Sequence, residues 1–169
     1  EANSGALRDE LLEGRLDVAI LRPSPSDPKE IASYLLSEEP LLAAIPKSVD
    51  PAPGEPAIDL AALKGLPLIL TPRAVGVSLH DAALAACCAA GFEPQLGQPA
   101  PQIASILSLV SAELGFSLVP ASSRQLVIEN IAYKTLAIPT ATVGMAVAVK
   151  RGSLSPTAQA FVSQARRVE

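Results

Sequence analysis

Residues 103–120 read IASILSLVSAELGFSLVP and hold a helix pattern followed by a strand pattern. The first half has apolar residues at i, i+3, i+4 and i+7, the spacing of the buried stripe of a helix, in Ile103, Ile106, Leu107 and Val110. The second half predicts a strand from Gly115 to Val119, which Pro120 ends because proline has no amide hydrogen to donate. A helix and a strand in succession are the repeating unit of an α/β protein.

The same alternation of helix and strand patterns runs through the rest of the chain, so the sequence predicts an α/β fold. Helices are predicted at residues 5–13, 59–65, 78–90 and from Pro156 onward, and strands at 16–21, 31–36, 41–46, 67–70, 131–136 and 143–149. Ser4, Ser155 and a Ser78-x-x-Asp81 capping box mark helix starts. The strand at 67–70 has no polar alternation, which predicts parallel pairing and burial on both faces. In the strand at 16–21, the apolar neighbours of Asp17 predict a buried carboxylate.

The composition excludes several classes of protein. Aromatic residues make up 3% of the 169 residues and Trp is absent, which rules out a nucleic-acid surface built on stacking rings. A net charge of −4 disfavours a phosphate-binding face. One His and two adjacent Cys are too few for a metal site or a disulfide framework, so we expect no metal, no cofactor and a reducing compartment. No apolar run approaches the roughly 20 residues that a membrane span requires.

Candidate catalytic groups are few. Ser78, His80 and Asp81 share one turn of a predicted helix, where neighbouring side chains point apart, so they form no line from nucleophile to base. We interpret them as a capped helix start with His80 exposed. Cys87 and Cys88 lie among alanines with no cation nearby to lower a thiol pKa, which favours small core residues over redox sensors. The glycines form neither G-x-G-x-x-G nor a P-loop, which leaves nucleotide-phosphate binding without support. Because no acid–base constellation appears, the sequence predicts no enzyme.

The loops that follow the predicted strands favour a binding function. In an open α/β sheet, ligands bind beyond the carboxyl ends of the strands. The loop at residues 71–77 leads into the helix at 78–90, and the free amides of that helix start, with Arg73 nearby, predict an anion site. The alternative is a solvated loop cation beside an ordinary helix start. Including the loops after two other strands, the candidate binding residues are Thr71, Pro72, Arg73, Leu21, Val119 and Pro120.

Four short segments occur in order across nearly the whole chain: LEGRLDVAI at 12–20, SEEPLLAAIP at 37–46, AGFEP at 90–94 and LVSAELGFSLVPAS at 109–122. They resemble four segments that occur in the same order in the effector-binding domain of LysR-type transcriptional regulators. The chain departs from that pattern at Glu113, where the family commonly has glycine. It also has Ser37 about where some aromatic-sensing members carry arginine.

The resemblance implies two Rossmann-like subdomains with a ligand cleft between them, as in type II periplasmic-binding-protein-like folds, here lacking the first strand-helix-strand of subdomain I. With composition breaks near Pro46 and Pro139, it assigns residues 1–45 plus 141–169 to subdomain I and residues 46–140 to subdomain II. The strand at 143–149 is then expected in the same sheet as the strand ending at Leu21. By position, the resemblance also gives Val77, Ser78 and Leu79 contacts with the effector.

The implied function is effector sensing: the domain binds a small molecule and controls transcription through a DNA-binding N-terminal domain outside these residues. Apolar Val77 and Leu79 beside the anion site favour a carboxylate-bearing effector. The resemblance implies a homodimer or higher homo-oligomer in the cytoplasm, and the helix at 78–90, apolar on every face, is a candidate two-fold interface. The alternatives are a periplasmic-type solute-binding protein and an enzyme such as a dehydratase of this architecture. Both are disfavoured, because we find neither an export signal nor an acid–base constellation.

Overall fold

The structure, a computed structural model, describes residues 2–138, 142–152 and 154–167. Its helices and strands follow one another in the predicted alternation: α1 (Ser4–Leu12), β1 (Ala19–Leu21), β2 (Ile31–Glu39), β3 (Leu41–Pro46), β4 (Ala57–Ile58), α2 (Val77–Ala89), α3 (Ile103–Ser111), β5 (Ser117–Pro120), β6 (Ile131–Leu136), β7 (Val143–Lys150) and α4 (Pro156–Ala165). Short 3-10 helices lie at Lys47–Val49, Leu60–Leu63 and Ala121–Gln125. The chain divides into two units, the first holding residues up to 38, 74–78 and from 144 onward, the second holding 39–73 and 79–143.

The first unit contains a three-stranded sheet of order β1-β7-β2. β1 pairs with β7 in the antiparallel sense, with Ile20 opposite Val147, which confirms that the strand near residue 145 lies in the sheet of the strand ending at Leu21. Alternate residues of β7 face opposite sides of this sheet. Ala148 packs in a cluster with Leu11 of α1, whereas the neighbouring β7 valines pack with Val162 of α4. The sheet therefore has a helix on each face.

The second unit contains a four-stranded sheet of order β4-β6-β3-β5, in which all six residues of β3 are buried. Ala43 of β3 packs in the cluster that holds Ala83 of α2. Ala44, on the opposite face, packs with Leu107 of α3. Alanines thus occupy both faces of the central strand, and the core of this unit lies on both sides of the sheet.

The segment at 67–70 is largely buried and makes parallel bridges, as predicted. Leu68 forms parallel bridges with both Phe116 and Leu96, and Ile69 donates its amide to the Phe116 carbonyl at 2.8 Å. Leu68 and Ile69 have no exposed surface. The prediction of a buried, parallel segment is confirmed, although only isolated bridges form rather than a full strand.

Several local predictions differ from the structure. Asn3, not Ser4, caps α1, because the Asn3 side chain accepts the Ala6 amide while the Ser4 hydroxyl accepts the Arg22 amide. Asp17 is exposed and precedes β1, since the strand begins only at Ala19. The sequence does not predict β4, because two residues are too few to show the alternation of apolar and polar residues typical of a strand.

The division between the units also falls elsewhere than the composition break. β3 pairs with β5 and β6, so the residues from 39 to 46 lie in the second unit, and the first chain crossing comes before β3 rather than near Pro46. The second predicted crossing, at Pro139, lies outside the described residues. Strand pairing, which the composition does not record, decides to which unit β3 belongs.

The helices α1, α2 and α3 end in the same hydrogen-bonded turn, and α3 does so without a glycine. At the end of α2, Gly91 has φ +82° and the Phe92 amide donates to the Cys87 carbonyl at 3.2 Å. At the end of α3, the Leu114 amide likewise donates to the Leu109 carbonyl at 3.1 Å, but the residue with positive φ, +64°, is Glu113. A side chain with Cβ is strained by roughly 1 kcal/mol or more in this conformation. The departure from glycine at Glu113 is therefore a local strain, tolerated because the turn's hydrogen bonds form.

A buried lysine holds the proline-rich segment at 50–56 onto β6. Lys134 is 3% exposed, and its ammonium lies 3.0 Å from an Asp50 carboxylate oxygen. The same ammonium donates to the carbonyl oxygens of Ala52 and Glu55, the latter at 2.8 Å. All three donors of the ammonium are thus used, which is the condition for burying a charge.

Candidate functional site

Thr71 is the most unusual residue of the loop that precedes α2. It is 7% exposed, and its hydroxyl oxygen has no hydrogen-bond partner among the described residues. The residue before it, Leu70, is tied to the second unit by the Ala100 amide, which donates to the Leu70 carbonyl at 3.2 Å. A buried hydroxyl without a partner destabilises a fold by about 1–3 kcal/mol. The Thr71 hydroxyl is therefore a buried polar group to which the described residues give no hydrogen-bond partner.

His80 contacts the same residue from the first turns of α2. Its Nδ1 lies 2.8 Å from the Thr71 carbonyl oxygen. Because a carbonyl oxygen only accepts, Nδ1 carries the hydrogen and donates it. The expectation that His80 is exposed is wrong: the side chain is half-buried, since it turns back to this carbonyl instead of into solvent.

Arg73 and Asp81 form a second contact between the loop and α2. The Arg73 guanidinium donates from Nε to Oδ1 and from Nη2 to Oδ2 of Asp81, each at 2.8 Å. This hydrogen-bonded guanidinium holds the pKa of the Asp81 carboxyl below its usual range, and Asp81 raises the pKa of Arg73. The Asp81 side chain thus binds Arg73 instead of closing the predicted capping box. Arg73 is not an isolated cation, because a carboxylate already engages two of its three nitrogens.

The start of α2 supplies backbone donors. The first amides of any helix lack intrahelical acceptors, and in α2 these belong to Val77, Ser78 and Leu79. Leu79 packs in the core cluster of the second unit, while Pro72 is half-buried. Val77 and Ser78 are also half-buried and are grouped with the first unit.

The remaining candidate residues are core residues at strand ends. Leu21 is 2% exposed and packs with Leu11 in the first unit. Val119 has no exposed surface and packs with α3 in the second unit. The next residue, Pro120, is also buried and lies opposite Leu41 of β3. Of the nine candidates, the structure brings Thr71, Pro72, Arg73 and Leu79 together around the start of α2 within the second unit. The sequence offers His80 and Asp81 only as catalytic candidates, and their contacts with the loop were not predicted; the spacings of nine residues to Thr71 and eight to Arg73 were the available signal.

Among the residues that the structure describes, the other reactive groups form no metal-binding cluster. Cys87 is buried, and burial raises the pKa of its thiol to about 11, whereas Cys88 is exposed, so only one of the two is a core residue as interpreted. Within the described ranges, no group of three or more His, Cys, Asp or Glu side chains is placed to hold a metal ion. None of the helices in that part of the chain has the length and apolar character needed to cross a membrane.

Known proteins with the same architecture were found by both sequence and structure. The model of the LysR substrate binding domain matches residues 1–169. The transcriptional regulator IlvR of Caulobacter vibrioides is 34% identical over 96% of this chain and 54% of its own length. For BudR of Raoultella terrigena the identity is 30%, over 96% of this chain and 56% of its own length. The chain thus spans about half the length of the curated relatives it matches.

Solved structures agree. The effector-binding domain of BenM with its effector benzoate has a TM-score of 0.74 at 28% identity, with 99% of this chain and 75% of that chain covered. The effector-binding domain of QuiR in complex with shikimate has a TM-score of 0.83 at 21% identity, with 98% and 78% covered, which shows a shared fold. The two sheets and their flanking helices are those of the type II periplasmic-binding-protein-like fold. With a family model that matches from the first residue to the last, the chain belongs to the LysR substrate-binding domain family.

Proposed function

We propose that the chain is the effector-sensing domain of a LysR-type transcriptional regulator, that it binds a small carboxylate-bearing molecule, and that binding controls transcription through a DNA-binding N-terminal domain outside these residues. The observation that carries the ligand proposal is the buried, unpartnered hydroxyl of Thr71 at the start of α2. A carboxylate oxygen accepts hydrogen bonds and can therefore be the partner of this hydroxyl. Benzoate and shikimate, the ligands of two structural neighbours, are both carboxylates.

The charges around Thr71 favour a ligand of low charge. Arg73 is neutralised by Asp81, so no unpaired cation of the loop calls for a dianion such as a phosphate. The attraction that remains comes from the Thr71 hydroxyl, and a hydrogen bond to a charged group contributes about 1.5–3 kcal/mol. We therefore expect micromolar or weaker affinity that falls with added salt.

The proposal is tested by titrating the intact regulator with benzoate, shikimate and their neutral amides in a calorimeter. We expect a carboxylate to bind and its amide not to bind. Thr71→Val, which keeps the shape and removes the hydroxyl, is expected to weaken binding about tenfold, because hydrogen bonds to charged groups contribute about 1.5–3 kcal/mol. Arg73→Ala is expected to weaken binding less, since Asp81 already engages the guanidinium.

Thr157→Val, on the exposed start of α4, is the matched control and should bind as the wild type does. Thr71→Val should also unfold at an equal or higher urea concentration, because it removes an unpaired buried hydroxyl. Binding of neutral compounds alone, with unchanged affinity in both Thr71→Val and Arg73→Ala, would contradict the carboxylate proposal.

A regulator is favoured over the solute-binding alternative because two relatives that match 96% of this chain are named as transcriptional regulators. We propose that the domain acts by binding rather than catalysis, since His80 and Asp81 are each engaged by the loop and not by a nucleophile. We propose a cytoplasmic location, because a regulator of transcription acts where the DNA is.

We further propose that the domain associates through α2 as a homodimer or as part of a higher homo-oligomer. One face of α2 is buried through Ala83 and Ala86, whereas Ala85, Cys88 and Ala89 are exposed. Ala89 also borders a small, mostly apolar pocket lined by Asp59, Leu60, Ala86, Ala90, Leu136 and Ile138. Small exposed side chains beside a mostly apolar pocket allow a second helix to approach closely.

Ala89→Glu is expected to give a folded monomer in light scattering, because it would bury a carboxylate in the two-fold interface. Ser163→Glu on the exposed face of α4 is the control and should leave the oligomer intact. An unchanged oligomer in Ala89→Glu would move the interface away from α2.

A further inference from the structure

Two adjacent residues of α2 hold the loop segment Thr71–Arg73 at both ends. His80 donates from Nδ1 to the Thr71 carbonyl, and Asp81 accepts two hydrogen bonds from Arg73. The two contacts differ in environment. The His80 contact is partly buried, whereas the side chains of Arg73 and Asp81 are 61% and 46% exposed. Exposed ion pairs contribute little to holding a conformation, so the His80 contact is the stronger restraint of the two.

The Thr71 carbonyl needs a side-chain partner at this point of the chain. Pro72 follows it and has no amide hydrogen, so this peptide unit cannot take part in a strand ladder through its nitrogen. Within the described residues, the Thr71 carbonyl oxygen accepts a hydrogen bond from His80. Without the imidazole it would lose this donor. The hydrogen bond therefore fixes the plane of the Thr71–Pro72 peptide.

Fixing that peptide also fixes the hydroxyl. Threonine is branched at Cβ, and its χ1 torsion is restricted by the backbone to which it is attached. If the Thr71 backbone could shift, the buried hydroxyl could turn toward an acceptor. The hydroxyl nevertheless has no partner among the described residues. A restrained backbone explains how this unfavourable arrangement persists.

We propose that His80 is a positioning residue of the effector site: through the Thr71 carbonyl it holds the Thr71 hydroxyl unpaired, ready to donate to a carboxylate of the effector. This rests on the proposed function for its ligand class, although not for the positioning itself. His80 does not contact the ligand. It sets in advance the orientation that binding would otherwise have to impose, and such preorganisation raises affinity.

The positioning is tested first without any ligand, by NMR. Three-bond couplings to the Thr71 γ-methyl carbon report the χ1 torsion. In the wild-type protein they should correspond to one rotamer, and in His80→Phe, which removes the donor, they should average over several. His80→Asn, whose side-chain amide can donate from a position similar to Nδ1, should restore the single rotamer. Asp81→Asn is the control for the exposed contact and should leave the couplings unchanged.

Binding to the intact regulator is then measured with benzoate and shikimate as probes. His80→Phe should weaken binding about tenfold and His80→Asn should recover most of it, as expected when a hydrogen bond to a charged ligand is lost and regained. In a Thr71→Val background, His80→Phe should cause no further loss, because the group that it positions is gone.

Unchanged couplings in His80→Phe would overturn the positioning role whatever binds. Additive losses in the double variant would also overturn it, since His80 would then act independently of Thr71. If the couplings respond as expected and neither acid binds, the positioning role stands and the carboxylate proposal fails.

Discussion

Lys134→Met is expected to lower the free energy of unfolding by about 3–5 kcal/mol, because it leaves the Asp50 carboxylate buried without its counter-charge. The carbonyls of Ala52 and Glu55 lose their donor at the same time. Methionine has nearly the volume of the lysine stem, so the loss reports the charge and the hydrogen bonds rather than a cavity. Urea unfolding followed by far-UV circular dichroism measures the effect.

Lys64→Met removes an exposed lysine and serves as the matched control, with an expected change within about 0.5 kcal/mol. Adding Asp50→Asn to Lys134→Met should recover part of the loss, since the uncompensated charge is removed while the Asn side chain still accepts the Ala52 amide. A loss below about 1 kcal/mol in Lys134→Met would show that the segment at 50–56 does not depend on this ion pair.

Gly115→Ala is expected to destabilise the second unit by roughly 2–5 kcal/mol, the sum of backbone strain and overpacking. Gly115 has φ +150°, and a Cβ there would lie 2.2 Å from the carbonyl oxygen of Pro67. That carbonyl accepts the Phe116 amide at 2.9 Å, so the backbone cannot retreat without breaking the parallel pairing of 67–70 with the start of β5.

Gly65→Ala is the matched control, because no atom lies within 4 Å of a Cβ added at Gly65. It is expected to change the free energy of unfolding by less than about 1 kcal/mol. Equal effects of the two substitutions in urea unfolding would show that the close approach at Gly115 is not what limits the side chain there.

Local signals in the sequence were enough to locate most of the elements. The i, i+3, i+4, i+7 spacing found α3, the unalternated run at 67–70 was correctly assigned parallel partners, and Ser155 caps α4 as expected. These features depend on residues close together in the chain. The burial of Lys134 was not foreseen, because its partner Asp50 lies in a different segment and only the pairing of β6 with β3 and β4 brings the two together.

The sequence likewise predicts the location of the candidate site but not the contacts inside it. The loop before α2 was identified from its place after a strand and before a helix. The arrangement inside the loop is not predictable in this way: the sequence favours Arg73 as a cation for a ligand, whereas the structure pairs Arg73 with Asp81. The unpartnered state of the Thr71 hydroxyl depends on everything packed around it, and no spacing in the chain encodes that.

The two tyrosines of the chain give each unit its own optical reporter. The chain has no tryptophan. Tyr34 lies in β2 of the first unit, where the Arg166 guanidinium stacks 4.9 Å from the ring centre. Tyr133 lies in β6 of the second unit, where its hydroxyl donates to the Leu126 carbonyl at 3.2 Å. Intrinsic fluorescence therefore comes from one ring per unit, and replacing either tyrosine with phenylalanine leaves a signal from the other unit alone, so that their unfolding can be followed separately without an added dye.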